Sequence, residues 1–134
     1  MSSSAGPYRL AEVAEVLGVS DDTLRRWADQ GRVETTHTAS GIRAIAGAEL
    51  ARLAVELSDQ PAARGRSTSA RNALRGVVIS VTRDQVMAQV ELRCGPYRVV
   101  SLMSREAADD LDLRPGRIAV ASVKATNVVV EVPL

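Results

Sequence analysis

The sequence has few of the residues that would fix a fold by covalent bonds or by large aromatic side chains. It contains one cysteine, Cys94, no phenylalanine, and only 2% aromatic residues. A single cysteine excludes a disulfide within the chain and suits a reducing compartment. The shortage of aromatic residues means that the core must consist of Val, Leu, Ile and Ala, and the valine-rich second half favours strands.

Long apolar segments are also missing. No apolar run approaches the length of a helix that crosses a bilayer. Met1–Gly6 is small and polar, without the apolar segment of a signal peptide. We therefore expect a soluble, cytoplasmic protein that makes no contact with a membrane.

Residues that commonly carry catalysis or bind metals are scarce. The one histidine, His37, has no companion at metal-ligand spacing, so we expect no metal cation. The sequence has no glycine-rich phosphate loop, catalytic triad or acid pair of defined spacing, and nothing near Cys94 would activate its thiol. We therefore expect a protein that is not an enzyme.

Charge is divided unevenly between the two halves of the chain. The formal net charge is +1, which is no sign of a polyanion-binding protein. Residues 1–57 carry six arginines against eight acidic residues, net −2, and residues 58–134 carry eleven basic against eight acidic residues, net +3. Any affinity of the first half for DNA must come from a local basic face and from oligomerisation.

Helical spacing of apolar residues dominates the start of the chain. Leu10–Leu17 predicts one helix, and Gly18 is well placed to end it because glycine accepts a left-handed conformation. Ser20 is placed to cap a second helix, in which Leu24 and Trp27 form the inner, core-facing side. Two helices joined by a tight glycine turn are typical of a helix-turn-helix.

A hairpin, a third helix and a linker follow. Val33–Ile45 is rich in threonine and contains a Ser-Gly pair, which predicts two short strands around a turn. Helical spacing resumes over Gly47–Leu57. Ser58–Thr68 has Pro, Gly and small polar residues without apolar periodicity, and we predict that it links a domain of residues 1–57 to one of residues 69–134.

The second predicted helix carries arginines opposite its apolar face. A helix-turn-helix places its second helix in the major groove of double-stranded DNA, where arginine binds phosphate or reads guanine. These arginines could instead pair with Asp21, Asp22 or Asp29 at helical spacing. The cap, the turn and the hairpin together favour DNA contact. The predicted DNA-binding residues are Thr23, Arg25, Arg26 and Arg43.

The segment YRLAEVAEVLGVSDDTLRRWADQGRV, followed by the hairpin sequence SGIRAI, resembles the MerR and excisionase type of winged helix-turn-helix. The resemblance covers Tyr8–Ile45. It implies that the TLRRW segment belongs to the recognition helix and that Gly41 and Arg43 belong to the wing.

From Leu74 the apolar period changes to two, which predicts strands. A short helix capped by Ser104 interrupts them. The predicted strands lie at Val77–Val81, Val86–Leu92, Ile118–Val123 and Val128–Val132, with one more after the Gly95-Pro96 turn. Five strands and one short helix in so few residues favour a small closed or partly closed barrel.

Three blocks in this half resemble the molbindin (Mop or TOBE) domain. In chain order they are SARN with LRG, MSRE leading to LDLRPG, and VKATNV. Molbindins are small OB-like barrels that bind molybdate or tungstate between subunits, and some oxyanion-responsive repressors carry them behind a DNA-binding head. The resemblance implies an oxyanion site lined by Ser69, Ala70, Arg71, Ser104, Lys124, Ala125 and Thr126.

The chemistry of these residues suits a tetrahedral dianion. Such an ion needs cations and several hydrogen-bond donors from different directions. Arg71 and Lys124 supply charge, and hydroxyl and backbone N–H groups supply donors. Taken singly, Ser104 is explained as a helix cap and Lys124 as a surface lysine, but the three blocks in order favour an oxyanion site.

Together these features predict an α+β protein: an N-terminal winged helix-turn-helix followed by a small OB-like five-stranded β-barrel. We expect a molybdate- or tungstate-responsive DNA-binding transcription regulator. In it, a homo-oligomer formed through the C-terminal domain holds the oxyanion between its β-domains. Two alternatives stay open. One is a molybdate buffer or storage protein, which the acidic head favours. The other is a constitutive DNA-binding protein whose barrel only oligomerises, which Ala107 in place of a frequent serine favours.

Overall fold

The computed structural model describes residues 5–58 and 68–134. The chain divides into two compact units, Met1–Asp59 and Gln60–Leu134. Helices and strands both occur, so the predicted α+β class is confirmed. Most of the predicted linker, residues 59–67, lies outside the described residues, and the predicted domain boundaries stay predictions. No helix in the described parts is long and apolar enough to cross a membrane.

The first unit packs helices against a small antiparallel sheet of strand order β1-β3-β2. Its elements are β1 (Tyr8–Arg9), α1 (Leu10–Leu17), α2 (Asp21–Asp29), β2 (Thr36–His37), β3 (Arg43–Ile45) and α3 (Gly47–Leu57). The core consists of Leu10, Val13, Ala14, Leu24, Val33, Ile45 and Leu53. Strand β1 was not predicted, and it joins the start of the chain to the hairpin.

Local signals place the first two helices where the sequence predicts them. Gly18 follows α1 with φ of 71°, in the left-handed region that favours glycine. The Ser20 hydroxyl accepts a hydrogen bond from the Thr23 N–H at 3.1 Å and so caps α2. Trp27 packs against the core, as predicted, and the Arg32 guanidinium lies 4.3 Å from its ring centroid.

The second unit is a curled antiparallel sheet of strand order β6-β5-β4-β7 with one short helix. Its elements are β4 (Asn72–Arg83), β5 (Met87–Cys94), β6 (Tyr97–Ser104), α4 (Arg105–Asp110), β7 (Ile118–Val123) and a 3-10 helix (Ala125–Asn127). The core consists of Val78, Ala88, Val90, Leu92, Cys94, Ala108 and Leu113. Cys94 is buried in this core.

A close approach between β4 and β5 helps to set the curvature of the sheet. A Cβ atom on Gly76 would collide with the carbonyl oxygen of Arg93 and with the Sγ of Cys94. The register of the two strands also shifts between Val78 and Ser80, which marks a β-bulge. Glycine at a close backbone approach and a bulge both bend a strand and increase its twist.

The predicted fifth strand does not form within one chain. Among the described residues the second unit has four strands, and Val128–Leu134 pairs with none of them. Val129, Val130 and Val132 are 81%, 84% and 86% exposed. The prediction of a five-stranded barrel is therefore wrong for the single chain, because the segment after the 3-10 helix pairs with neither edge strand of the sheet.

Candidate functional site

Two of the three predicted oxyanion blocks meet at one end of the second sheet. Ser69–Arg71 comes directly before β4, and Lys124–Thr126 comes directly after β7. The two strands are antiparallel, with Asn72 opposite Val123. The Asn72 side-chain amide donates to the Val123 carbonyl at 3.1 Å and holds the strand ends together. We call these two segments the basic end.

The cations of the basic end have no neutralising partner in the parts of the chain that the structure describes. Within residues 5–58 and 68–134, the side chains of Arg71 and Lys124 are exposed and make no ion pair or hydrogen bond. Lys124 is the one lysine of the chain. The N–H groups of Ala125 and Thr126 begin the 3-10 helix, so they have no partner in it.

One predicted donor is already engaged. The Ala70 N–H donates to the Thr68 hydroxyl oxygen at 3.1 Å. The basic end therefore offers two cations and the N–H groups of the 3-10 helix, whereas the Ala70 N–H would have to exchange partners to reach an anion.

Ser104 lies at the opposite end of the same sheet. In the pairing of β5 with β6, Ser104 lies opposite Met87, the first residue of β5. The next residue of β5, Ala88, lies opposite Arg83, the last residue of β4. Strand β4 has 12 residues, a length of about 40 Å when fully extended. Ser104 is therefore not brought together with the basic end within one chain.

The Ser104 hydroxyl is available as a donor. Its oxygen accepts a hydrogen bond from the Ala107 N–H at 3.0 Å, which confirms the predicted cap of α4. Because a hydroxyl both donates and accepts, its hydrogen is left to bind an acceptor oxygen outside the helix.

An apolar groove opens along the second unit between the edge strands β6 and β7. Its volume is about 510 Å³, and its lining includes Val90, Leu92, Val99, Met103, Ala119 and Ala121. Among the described residues, β6 and β7 each pair with one strand only, so the backbone N–H and C=O groups on their open sides face no neighbouring strand. Such an edge is a template for one further strand.

The arginines of α2 are exposed and unpaired in the described parts of the chain. The predicted alternative, pairing of Arg25 and Arg26 with neighbouring aspartates, is not formed. Asp29 instead binds Arg43 of β3, with 3.1 Å between Oδ1 and Nη1. Thr23 lies at the start of the same helix, where its hydroxyl accepts from the Ser20 hydroxyl at 2.8 Å.

A concavity of about 380 Å³ adjoins these residues, and it is lined by Arg9, Arg25 and Arg43 among others. No local pattern in the sequence indicates a role for Arg9, since only the pairing of β1 with β3 brings it beside the hairpin. His37 lies exposed on β2. Among the described residues, no three His, Cys, Asp or Glu side chains are grouped to hold a metal ion.

Two acidic side chains of α3 are engaged by arginines. Arg52 forms ion pairs with Glu49 and Glu56, and Arg32 binds Glu56 at 2.9 Å. The hydrogen bond from Arg52 is the main cause that lowers the pKa of Glu49, and those from Arg32 and then Arg52 lower the pKa of Glu56. These carboxylates are charged but locally neutralised by arginines, so they contribute little negative field elsewhere.

The comparisons with known proteins divide the chain in the same way as its fold. A family model described as TOBE domain matches residues 68–130, and one described as MerR family regulatory protein matches residues 9–45. Molybdenum-pterin-binding protein 3 of Clostridium pasteurianum is 37% identical over 65 residues, which are 48% of this chain and 96% of that protein. A probable molybdenum-pterin-binding protein of Haemophilus influenzae is 42% identical over 65 residues, 48% of this chain and 94% of that protein.

A solved structure shows the same similarity in three dimensions. The cytoplasmic molybdate-binding protein ModG, crystallised with molybdate bound, aligns with a TM-score of 0.50 and 38% identity. The alignment covers 53% of this chain and 51% of that chain. Through its second unit the chain belongs to the TOBE-domain family of molybdenum-pterin-binding proteins, and the segment that matches the MerR family model precedes that domain.

Proposed function

We propose that the protein is a molybdate- or tungstate-responsive DNA-binding transcription regulator, whose oligomer binds the oxyanion between its β-domains. The relatives named for molybdenum-pterin binding support the ligand, and the MerR match supports the head. Those relatives are covered almost end to end by the second unit alone. The head is therefore the part of this chain that these relatives lack. A winged helix-turn-helix in the head would couple ligand binding to DNA binding.

The observation that carries the proposal is the distance between the basic end and Ser104. A tetrahedral dianion is held best by donors that surround it. One chain offers the basic end on one side only, because Ser104 lies beyond the length of β4. A second copy that places its Ser104 against the basic end of the first would complete the site.

The C-terminal segment supplies a means of joining two copies. Val128–Leu134 has the length of an ordinary strand, and its valines are exposed. Burial of each valine contributes on the order of 1.5 kcal/mol. The groove between β6 and β7 offers both an apolar floor and open strand edges. The segment of a second copy would enter it as the fifth strand and close an OB-like barrel.

An oxyanion bound between copies can control the heads. A ligand shifts an equilibrium only if it binds one arrangement more tightly than another. A site made from two chains meets this condition, since it exists only in the assembled arrangement. Two heads held in a defined geometry would bind two half-sites on one face of the duplex. The net charge of −2 on residues 1–57 makes a single head a weak DNA binder.

A molybdate buffer or storage protein is the second candidate, and the acidic head favours it. The two functions differ in what the head does. Sequences enriched from a random duplex pool by the full-length protein would distinguish them, because a storage protein enriches none.

Removal of Val128–Leu134 is expected to convert the oligomer into monomers. The change takes away the strand that would fill the groove of a second copy, while the two core clusters stay complete. Light scattering at micromolar concentration measures the mass directly. The control is Glu131→Gln, which keeps the segment and its valines. A truncated chain with the mass of the parent oligomer would contradict this assembly.

Arg71→Ala and Lys124→Ala are each expected to weaken molybdate binding at least tenfold. Loss of a charge-assisted hydrogen bond to a desolvated anion costs on the order of 1.5–3 kcal/mol. Calorimetric titration with molybdate, tungstate and sulfate gives the affinities. Arg114→Ala is the matched control, because Arg114 is an exposed arginine of the same unit that pairs with Asp112 outside the basic end. Parent-like titration of both variants would show that the basic end is not the site.

The double variant Arg25→Ala and Arg26→Ala is expected to lose specific DNA binding. Both side chains are exposed on α2 and unpaired within the described residues, so their removal leaves the core intact. A gel-shift assay with an enriched duplex, with molybdate and with sulfate, measures the effect. In the parent protein the shift should depend on molybdate and not on sulfate.

The same variant carries its own control. Its mass and its molybdate affinity should equal those of the parent, since the basic end lies in the other unit. A shift that is unchanged by the double substitution would refute the assignment of α2 as the DNA-binding helix. A shift that ignores molybdate would make the protein a constitutive DNA binder.

A further inference from the structure

The concavity on the first unit is lined mainly by basic and apolar residues. Its lining consists of Arg9, Leu10, Ala11, Arg25, Ile42 and Arg43. Half of these residues are arginines, and none carries a carboxylate. They come from four elements, namely the adjacent β1 and α1, then α2, and the hairpin strand β3 with its preceding turn.

Strand pairing fixes the position of Arg9. In the antiparallel register of β1 with β3, Tyr8 lies opposite Ile45 and Arg9 lies opposite Ala44. Tyr8 is half-buried against the core, whereas the neighbouring Arg9 is exposed. The backbone of Arg9 therefore lies beside the residue that follows Arg43, and its side chain is left at the surface.

The positive charge that lines this concavity is only partly paired with carboxylates among the described residues. Arg9 and Arg25 make no ion pair in the described parts of the chain. Arg43 is paired only with Asp29, whose side chain is 69% exposed. Glu49 and Glu56 are engaged by Arg52 and Arg32 instead. Cations around one concavity without a lining carboxylate attract an anion from outside.

We propose that Arg9 binds a phosphate of the DNA backbone and, with Arg25 and Arg43, clamps that strand beside α2. This rests on the proposed DNA binding by the head. A guanidinium fork matches two phosphate oxygens, and phosphate contacts of this kind fix the register of a protein on the duplex. Free phosphate or molybdate has the same chemistry, but exposed Arg26 extends the basic surface beyond the concavity, which favours an extended polyanion.

The test uses the full-length protein, a fluorescein-labelled random-sequence duplex and fluorescence anisotropy at several salt concentrations. Arg9→Gln should weaken binding at least about tenfold and make the log–log salt slope less negative by about 0.9 for each head that binds the duplex, as loss of one phosphate contact per head requires. Arg52→Gln is the control, because it removes the same charge from the same unit at a side chain engaged by Glu49 and Glu56. It should leave the slope unchanged. Equal urea midpoints for parent and Arg9→Gln would show that the fold is kept.

The outcomes separate this inference from the proposed function. If Arg25→Gln weakens duplex binding and Arg9→Gln matches Arg52→Gln, the clamp is refuted while DNA binding stands. If the parent protein binds no duplex, both are refuted. Calorimetric titration with inorganic phosphate and with molybdate tests whether the concavity binds a free anion instead of DNA. Arg9-dependent binding of either ion, without an effect of Arg9→Gln on the duplex, would also overturn the clamp.

Discussion

Strand β4 pairs with two different strands along its length, and the arrangement of the second unit depends on this. Its first part, from Asn72, lies against β7, and its last part, to Arg83, lies against β5. The pairing of β4 with β7 forms the basic end. The pairing of β4 with β5, and of β5 with β6, places Ser104 at the opposite end of the sheet. Because β4 spans 12 residues, the two parts of the predicted site cannot meet in one chain. The same curled sheet leaves an open groove between β6 and β7, so an incomplete site and an incomplete barrel have a common cause.

The head shows how an acidic domain can still present a basic surface. Its net charge is −2, yet Glu49 and Glu56 are held by arginines along α3. Arg25 and Arg26 stay unpaired on α2 in the described residues. The net charge of a domain therefore does not exclude a positive potential at unpaired arginines that lie away from the paired charges of α3. Such a head suits the proposed regulator, in which the strength of DNA binding would come from the number and geometry of the heads.

Features that depend on near neighbours in sequence could be predicted, and features that depend on distant pairing could not. The Ser20 and Ser104 caps and the turn at Gly18 are local hydrogen-bond and backbone effects, and all three were predicted correctly. The alternation of Val128–Val132 is typical of a strand, but alternation does not say which strand lies beside it. The position of Arg9 likewise follows from its register with Ala44, a contact that no local pattern indicates. For the oxyanion site, sequence identified candidate residues, while only the sheet register shows that they lie at opposite ends.

The central claim is that one oxyanion site takes residues from two chains, and complementation between two defective variants tests it most directly. One variant carries Arg71→Ala with Lys124→Ala. The other carries Ser104→Asp, which keeps a residue that caps α4 and places a negative charge against the dianion. Each variant alone should titrate molybdate poorly in a calorimeter. Oligomers formed by refolding the two together should regain molybdate binding, because some sites then combine an intact basic end with an intact Ser104. Mixed oligomers that bind no better than either variant alone would contradict a site shared between chains.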